Sequence, residues 1–271
     1  MPELPEVETI RQQLLPCLPA KIKQTRYSRV VGSILKTKMF SPTGKTIATI
    51  SRKGKLLDFI FADGTHMISG LGMSGGWRYS FLPITAKHTH IQFTCENANG
   101  QIYLAYVDPR RFGNCHLLDG QNAERQLARL GVDVSTKEFN VDYVAALCNR
   151  FPNREIKPFL LDQACFAGVG NYMACEVLAH SRIHPERMSH TLCAKEYRQL
   201  VRAMQLVVGG SLKKRGLTFS GGYTDAKGEK GAALNNLVVF HQKICGLCQT
   251  TEVTRILQKG RTTWYCPHCQ K

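Results

Sequence analysis

The sequence has no apolar run approaching the ~20 residues a membrane-spanning helix needs, and no basic segment followed by an apolar core opens it. Both absences argue against a membrane or exported protein, so a soluble, intracellular chain is expected. There is no internal repeat and no low-complexity segment, which leaves ordinary globular domains. Acidic residues are scarce: 20 Asp and Glu stand against 36 Lys and Arg, for a formal net charge of +16. Such an excess favours a polyanion over a neutral small molecule as partner. Composition alone does not separate DNA, RNA and a membrane surface.

Cysteine, by contrast, is abundant. Eleven cysteines would suggest disulfides in a secreted chain, but seven of them are scattered and odd in number, which fits free thiols in a reducing compartment. The other four form two C-x2-C pairs, Cys245/Cys248 and Cys266/Cys269, with seventeen residues between the pairs. Two thiolate pairs on tight turns can close a tetrahedral site, so one Zn2+ held by four cysteines is expected. Four thiolates leave no position for water, which makes the ion structural. Arg261 lies between the pairs, on what should be the hairpin of a zinc ribbon.

With 271 residues, 43% of them hydrophobic, the chain can form one large or two modest domains. From about Lys21 to Leu118 the pattern is strand-like. Short apolar or alternating runs occur at Val30-Val31, Thr46 to Ile50, Leu56 to Phe61, Met67 to Ser69, His90 to Cys95, Ile102 to Val107 and Cys115 to Leu118. Strands of this number and length argue for an antiparallel β-sandwich. From about Lys137 helical spacing takes over, most clearly in the stripe Tyr197, Leu200, Val201, Met204 and Val208. Gly131 to Thr136 is the expected boundary, and the fold class is α+β.

The opening Pro2-Glu3-Leu4-Pro5-Glu6-Val7-Glu8 carries the chemistry. Removal of Met1 would leave a secondary amine beside a carboxylate; with Met1 attached, the Pro2 nitrogen is an amide and cannot act. An α-amino group titrates near ~8, so part of it is unprotonated at neutral pH. It can add to a sugar C1′, expel the base and collapse to an iminium. Glu3 could protonate the opening sugar ring if burial raises its pKa. The alternative is an ordinary helix start, with Pro5 in the first turn and Leu4, Val7, Ile10 and Leu14 at helical spacing.

PELPEVE resembles the opening of the formamidopyrimidine-DNA glycosylase and endonuclease VIII family, and four further motifs follow in the order that family shows. The resemblance implies that Pro2 is the nucleophile, Glu3 the general acid and Glu6 an acidic neighbour of the active site. Lys55, last of the cluster Arg52-Lys53-Gly54-Lys55, would reach a phosphate near the damaged nucleotide. Leu71-Gly72-Met73-Ser74-Gly75 and Asp108-Pro109-Arg110-Arg111-Phe112-Gly113 resemble void-filling loops, in which Met73 and Phe112 wedge the duplex and Arg110 bonds the orphaned base. The family's phosphate-contacting histidine before LGMSG is replaced by Gly70. His90 resembles a family position at the DNA, with a structural role as its alternative. The run from Ile156 through Gly168-Val169-Gly170-Asn171 to Pro185 resembles the helix-two-turn-helix module, with Asn171 on a phosphate, Glu176 at the catalytic pocket and Arg261 of the ribbon on the DNA backbone.

The implied organisation is a catalytic β-sandwich domain with an N-terminal helix over 1–133, a helix-two-turn-helix domain with a lesion loop over 134–231, and a zinc-ribbon finger over 232–271. The implied function is that of a bifunctional DNA glycosylase and AP lyase of base excision repair. It would remove oxidised purines from double-stranded DNA, cleave the strand by β,δ-elimination, and work as a monomer in the bacterial cytoplasm at the nucleoid. Thr218 to Leu237 aligns with the segment that closes over the extruded base, but Gly231-Ala232-Ala233-Leu234 stands where relatives have Gly-Tyr-Phe-Gln. A glycosylase for oxidised pyrimidines, as in the endonuclease VIII branch, and a non-catalytic lesion-binding zinc protein are therefore the alternatives.

Overall fold

A computed structural model describes residues 2–37, 41–218 and 222–271, which pack as two compact units. The first comprises residues 1–129 with 214–232, the second 130–213 with 233–271. The lesion-loop segment thus groups with the strand-rich part of the chain up to Ala232 and with the helices from Ala233, and the four cysteines pack with the helices.

In the first unit, helix α1 (Leu4–Leu14) precedes eight strands: β1 (Ala20–Tyr27), β2 (Thr46–Lys53), β3 (Leu56–Phe61), β4 (His66–Gly70), β5 (Gly76–Ser80), β6 (Thr89–Asn97), β7 (Gly100–Val107) and β8 (Asn114–Leu118). Helix α2 (Gly120–Ala128) follows. The strands make one antiparallel ladder in the order β5-β7-β6-β1-β2-β3-β4-β8. Register shifts in the β1/β6, β2/β3 and β6/β7 pairs mark bulges, which bend strands and let a ladder curl over. The curl brings β5 against β3 and β4, far from it in the ladder. Trp77 of β5 lies 4.9 Å from the Phe59 ring and donates its indole N–H to Ser69 Oγ at 2.9 Å. Phe93 and Tyr106 complete the cluster at 5.5 and 5.4 Å from Trp77. Two layers closing on an aromatic core are the expected sandwich, formed from a single ladder.

One expectation about strands needs correcting, and two strands are not among the runs read from the sequence. Val30-Val31 is no strand; the chain makes a short 3-10 turn over Val31–Ser33, and Val30 is exposed. Strand β1, which carries Lys21, Lys23, Gln24 and Arg26, and the short β5 lack the apolar runs that mark the others. They are strands because they pair with β2 and β6, and with β7.

Helix α1 buries Leu4, Val7, Ile10 and Leu14, and Val7, Ile10 and Leu14 join the sandwich core. It also makes ionic contacts. The Glu8 carboxylate accepts from Arg11 Nη2 at 2.7 Å, Gln12 Nε2 at 2.9 Å and Arg52 Nε at 2.8 Å. Arg11 also donates to the Ile50 carbonyl at 3.3 Å, so the helix grips β2 at two points.

The second unit contains α3 (Val141–Arg150), α4 (Ile156–Leu160), α5 (Asn171–His180) and α6 (Ala194–Lys213). Short strands β9 (Val132–Asp133) and β10 (Phe166–Ala167) pair in parallel, and β11 (Thr254–Gln258) and β12 (Arg261–Tyr265) form a terminal hairpin. The helical stripe read from sequence is the buried face of α6. Among the described residues no helix is long and apolar enough to cross a membrane.

Burial alone would raise the Glu8 carboxyl, but the bonds from Arg11 and Arg52 outweigh it and hold the group at about 2, below its ordinary 4.5. A depressed carboxyl stabilises the fold above its unfolded pKa and loses that contribution as pH falls toward the folded value. Between pH 4.5 and 2 the first unit should therefore lose about 3 kcal/mol through Glu8. Urea unfolding read from Trp77 in a Trp264→Phe background measures this loss, and Glu8→Gln should flatten that part of the acid slope.

Candidate active site and nucleic-acid interface

Pro2 and Glu3 stand immediately ahead of α1 and are buried, Glu3 with 3% exposure. The buried Glu6 reaches back from the first turn: its Oε2 accepts the Glu3 backbone N–H at 2.7 Å. Its other oxygen accepts the Leu217 N–H at 2.7 Å. Gly216 lies at φ 81°, and a Cβ there would sit 2.8 Å from Glu6 Oε1, so the close approach requires glycine. One carboxylate thus ties the backbone of Glu3 to the segment 214–232.

That segment has further anchors. Gln13 of α1 donates to Asp225 Oδ2 at 2.9 Å and accepts the Ala226 N–H at 2.8 Å, and Tyr79 N–H donates to the Ala226 carbonyl at 3.0 Å. Tyr223 is buried; burial, with the Glu6 charge adding to it, pushes its phenol upward and keeps it neutral. Phe219, Ser220 and Gly221, part of the segment expected over an extruded base, lie outside the described residues, as does Met1.

The loops bearing Met73 and Phe112 are interlocked. Asp108, wholly buried, accepts from Ser74 Oγ at 2.7 Å, from Arg110 N–H at 3.2 Å and from Gly113 N–H at 2.9 Å. Gly72, at φ 62°, lets the backbones touch, because a Cβ there would fall 2.4 Å from the Phe112 carbonyl carbon. Met73 and Phe112 are left 38% and 56% exposed, apolar groups held outward on a rigid base. The Arg110 guanidinium lies 4.8 Å from the Phe112 ring centroid. His90 is buried, with Nδ1 on Ser28 Oγ at 2.9 Å and Nε2 on the Asp108 carbonyl at 3.0 Å. Both ring nitrogens are therefore taken up inside the protein, one on the loop that begins at Asp108 and the other on Ser28. Gly70 is enclosed as well: a Cβ there would lie 3.2 Å from the Asn114 amide.

In the second unit Asn171 is the first residue of α5. Its Oδ1 accepts from Lys157 Nζ at 2.7 Å, and its Nδ2 donates to the Thr262 carbonyl at 2.9 Å. Thr262 follows Arg261, so the hairpin arginine and the helix N-terminus are held as neighbours. A helix N-terminus tied to the backbone beside an arginine is a place where an anion is favoured. Glu176, expected at the catalytic pocket, is buried and accepts the N–H groups of Val238, Val239 and Phe240 at 2.8, 2.9 and 2.8 Å. Burial pushes its carboxyl upward against those three donors. It fixes the approach to the cysteine hairpin and also lines a cavity of about 210 Å³ with Tyr172 and His180.

The four cysteine sulfurs lie within 4.8 Å of one another, with Cys245 and Cys269 4.0 Å apart and Cys248 and Cys266 3.9 Å apart. A tetrahedral zinc with Zn–S bonds of about 2.3 Å requires sulfurs about 3.8 Å apart, so the cluster fits that ion. Hydrogen bonds from Thr250 and Thr251 pull the Cys248 thiol down to about 5, whereas burial raises those of Cys245 and Cys269, so a bound cation would have to draw off their protons.

Comparison with known proteins places this arrangement. The formamidopyrimidine-DNA glycosylase N-terminal domain matches residues 1–115, and the formamidopyrimidine-DNA glycosylase H2TH domain matches residues 130–220. The formamidopyrimidine-DNA glycosylase of Bartonella quintana (strain Toulouse) is 35% identical, with 100% of both chains covered. The chain belongs to the formamidopyrimidine-DNA glycosylase family. Solved family structures agree: MutM (Fpg) from Thermus thermophilus matches with a TM-score of 0.86 at 31% identity, covering 99% of this chain and 98% of that one. Lactococcus lactis Fpg, complexed with DNA containing an abasic site, matches with a TM-score of 0.87 at 30% identity and 99% coverage of each chain.

Against the family's fold, the first unit gathers Pro2, Glu3 and Glu6 at one helix end and Met73, Arg110 and Phe112 on one pair of loops. The second gathers Asn171 and Arg261. Reading the sequence missed Asp108, Lys157 and the anchors of 214–232. Only Asp108 left a signal, as the Asp-Pro that opens its loop. The cysteine cluster should hold one zinc per chain by atomic emission. Its removal by a chelator should disorder the ribbon and red-shift the emission of Trp264, which packs 4.4 Å from Phe240. A zinc-free chain with an unaltered Trp264 would contradict the site.

Proposed function

We propose that this protein is a bifunctional DNA glycosylase and AP lyase of base excision repair, acting on oxidised purines in duplex DNA. The observation that carries the reading is the buried Pro2-Glu3 pair, held by Glu6 at the head of a helix that is itself part of the sandwich core. Once Met1 is removed, the Pro2 amine attacks C1′ of the damaged nucleotide and the C1′–base bond breaks, with Glu3 delivering a proton as the sugar ring opens. The amine and C1′ form an iminium, Glu3 then acts as base, and β- and δ-elimination release the phosphates on either side. Lys55, Asn171 and Arg261 bind phosphates and fix the sugar. Met73 and Phe112 fill the space the base vacates, and Arg110 bonds its partner.

The four cysteines hold zinc, which keeps the Arg261 hairpin folded and takes no part in bond breaking. The protein acts as a monomer in the bacterial cytoplasm, in keeping with its bacterial relatives. The excess of basic residues supplies a salt-dependent hold on undamaged duplex. Oxidised pyrimidines are a second reading. Gly231 to Leu234 departs from the purine-directed pattern, and the Lactococcus lactis enzyme, 31% identical, has been crystallised with DNA containing an oxidised pyrimidine.

Borohydride added to the processed protein with a duplex containing 8-oxoguanine should trap a covalent protein–DNA complex. Replacing Pro2 by Gly behind an added N-terminal residue should abolish trapping while leaving duplex binding in place. Binding without trapping by the wild-type chain would instead identify a lesion-binding protein. Faster cleavage of oxidised-pyrimidine than of oxidised-purine duplexes would favour the second reading.

A further inference from the structure

The Glu8–Arg52 bridge reaches beyond the stability of α1. The Arg52 side chain is 7% exposed and forked: Nε donates to Glu8 Oε2 at 2.8 Å, and Nη1 donates to the carbonyl of Gly54 at 2.9 Å. Gly54 and Lys55 form the two-residue turn between β2 and β3, where Lys53 pairs with Leu56. The Gly54 carbonyl belongs to the peptide plane that carries the Lys55 nitrogen. Fixing it fixes where Lys55 leaves the turn. Glu8, in turn, cannot drift from the helix: Arg11 binds both of its oxygens at 2.9 and 2.7 Å, and Gln12 binds Oε1 at 2.9 Å. An unbroken path of polar contacts therefore runs from the helix headed by Pro2 and Glu3, through Glu8 and Arg52, to the peptide that presents Lys55.

We propose that Glu8 and Arg52 are positioning residues, which set the Lys55 turn relative to the Pro2 nucleophile so that phosphate grip and attack on C1′ occur in register. The inference rests on the activity proposed above. Neither residue touches DNA in this account. Their effect reaches the reaction only through Lys55. In the β2–β3 hairpin the turn is held by more than its ladder bonds. Here a guanidinium from one strand also holds the turn carbonyl, and a helix carboxylate holds the guanidinium. Lysine at 52 keeps the charge and can meet Glu8 or the Gly54 carbonyl, but it lacks the planar fork that meets both.

The test is a double-variant cycle on the single-turnover rate of borohydride trapping, with processed protein in excess over an abasic-site duplex. Arg52→Lys should slow trapping roughly 10- to 100-fold, the scale of an ångström-sized misplacement, with duplex affinity changed less than about threefold. Lys55→Ala should slow trapping too, and Arg52→Lys added to it should cost no more than about a further threefold, because both changes remove one contribution. Glu8→Gln, which preserves shape, should behave like Arg52→Lys, and thermal midpoints taken on each variant identify any loss from unfolding. Independent, multiplicative losses for Arg52→Lys and Lys55→Ala would overturn the proposal, as would wild-type trapping by both Arg52→Lys and Glu8→Gln. Absence of trapping by the wild-type protein would overturn the proposed activity and this inference with it.

Discussion

A chain terminus is usually its most mobile part. In this protein residues 2–10 are all buried, and everything else in the first unit is arranged around that fact. Burial of Val7, Ile10 and Leu14 in the sandwich core fixes the axis of α1, and Glu8 fixes its rotation against β2. A nucleophile borne on a flexible tail would lose most of the advantage of being held near its target. Placing Pro2 and Glu3 ahead of a core helix gives the proposed nucleophile, once Met1 is removed, the rigidity usually reserved for side chains on internal elements.

The scarcity of acidic residues has a structural counterpart. Among the described residues eight carboxylates are buried, Glu3, Glu6, Glu8, Asp58, Asp108, Asp133, Glu176 and Asp225, whereas Lys157 alone is buried among the lysines and arginines. Most of these acids collect internal donors. Glu6 takes two backbone N–H groups, Glu176 takes three, and Asp108 takes two together with a hydroxyl. Buried acceptors of this kind join segments distant in sequence at places where neither helix nor ladder can. Withdrawing them from the surface also leaves the exterior more basic than the composition alone suggests. That suits a protein whose partner is a polyanion.

Much of this was legible from sequence, and the exceptions have physical reasons. Strands with apolar alternation, the apolar stripe of α6 and the cysteine spacing each follow from a local period or spacing. β1 was invisible because its exposed face carries lysine, arginine and glutamine, and Val30-Val31 misled because two β-branched residues were too few to overrule a turn. The candidate residues at the N-terminus and on the loops were visible as motifs. Their supports were not. Glu6 meets Leu217 and Gln13 meets Asp225 across more than two hundred residues, and Arg52 meets Glu8 across forty-four. No periodicity encodes such pairs. The return of 214–232 to the first unit is the clearest case, since its glycine- and charge-rich sequence has no apolar period to show what it packs against.

The central claim is that the amine exposed when Met1 leaves is the atom that bonds to deoxyribose. Peptide mapping of the reduced protein–DNA complex tests it directly: after nuclease and trypsin digestion, tandem mass spectrometry locates the residual sugar-phosphate. The account predicts the added mass on the nitrogen of Pro2, in the peptide that ends at Arg11. A remnant on Lys55 or another lysine, or a complex whose first peptide still begins with Met1, would contradict it.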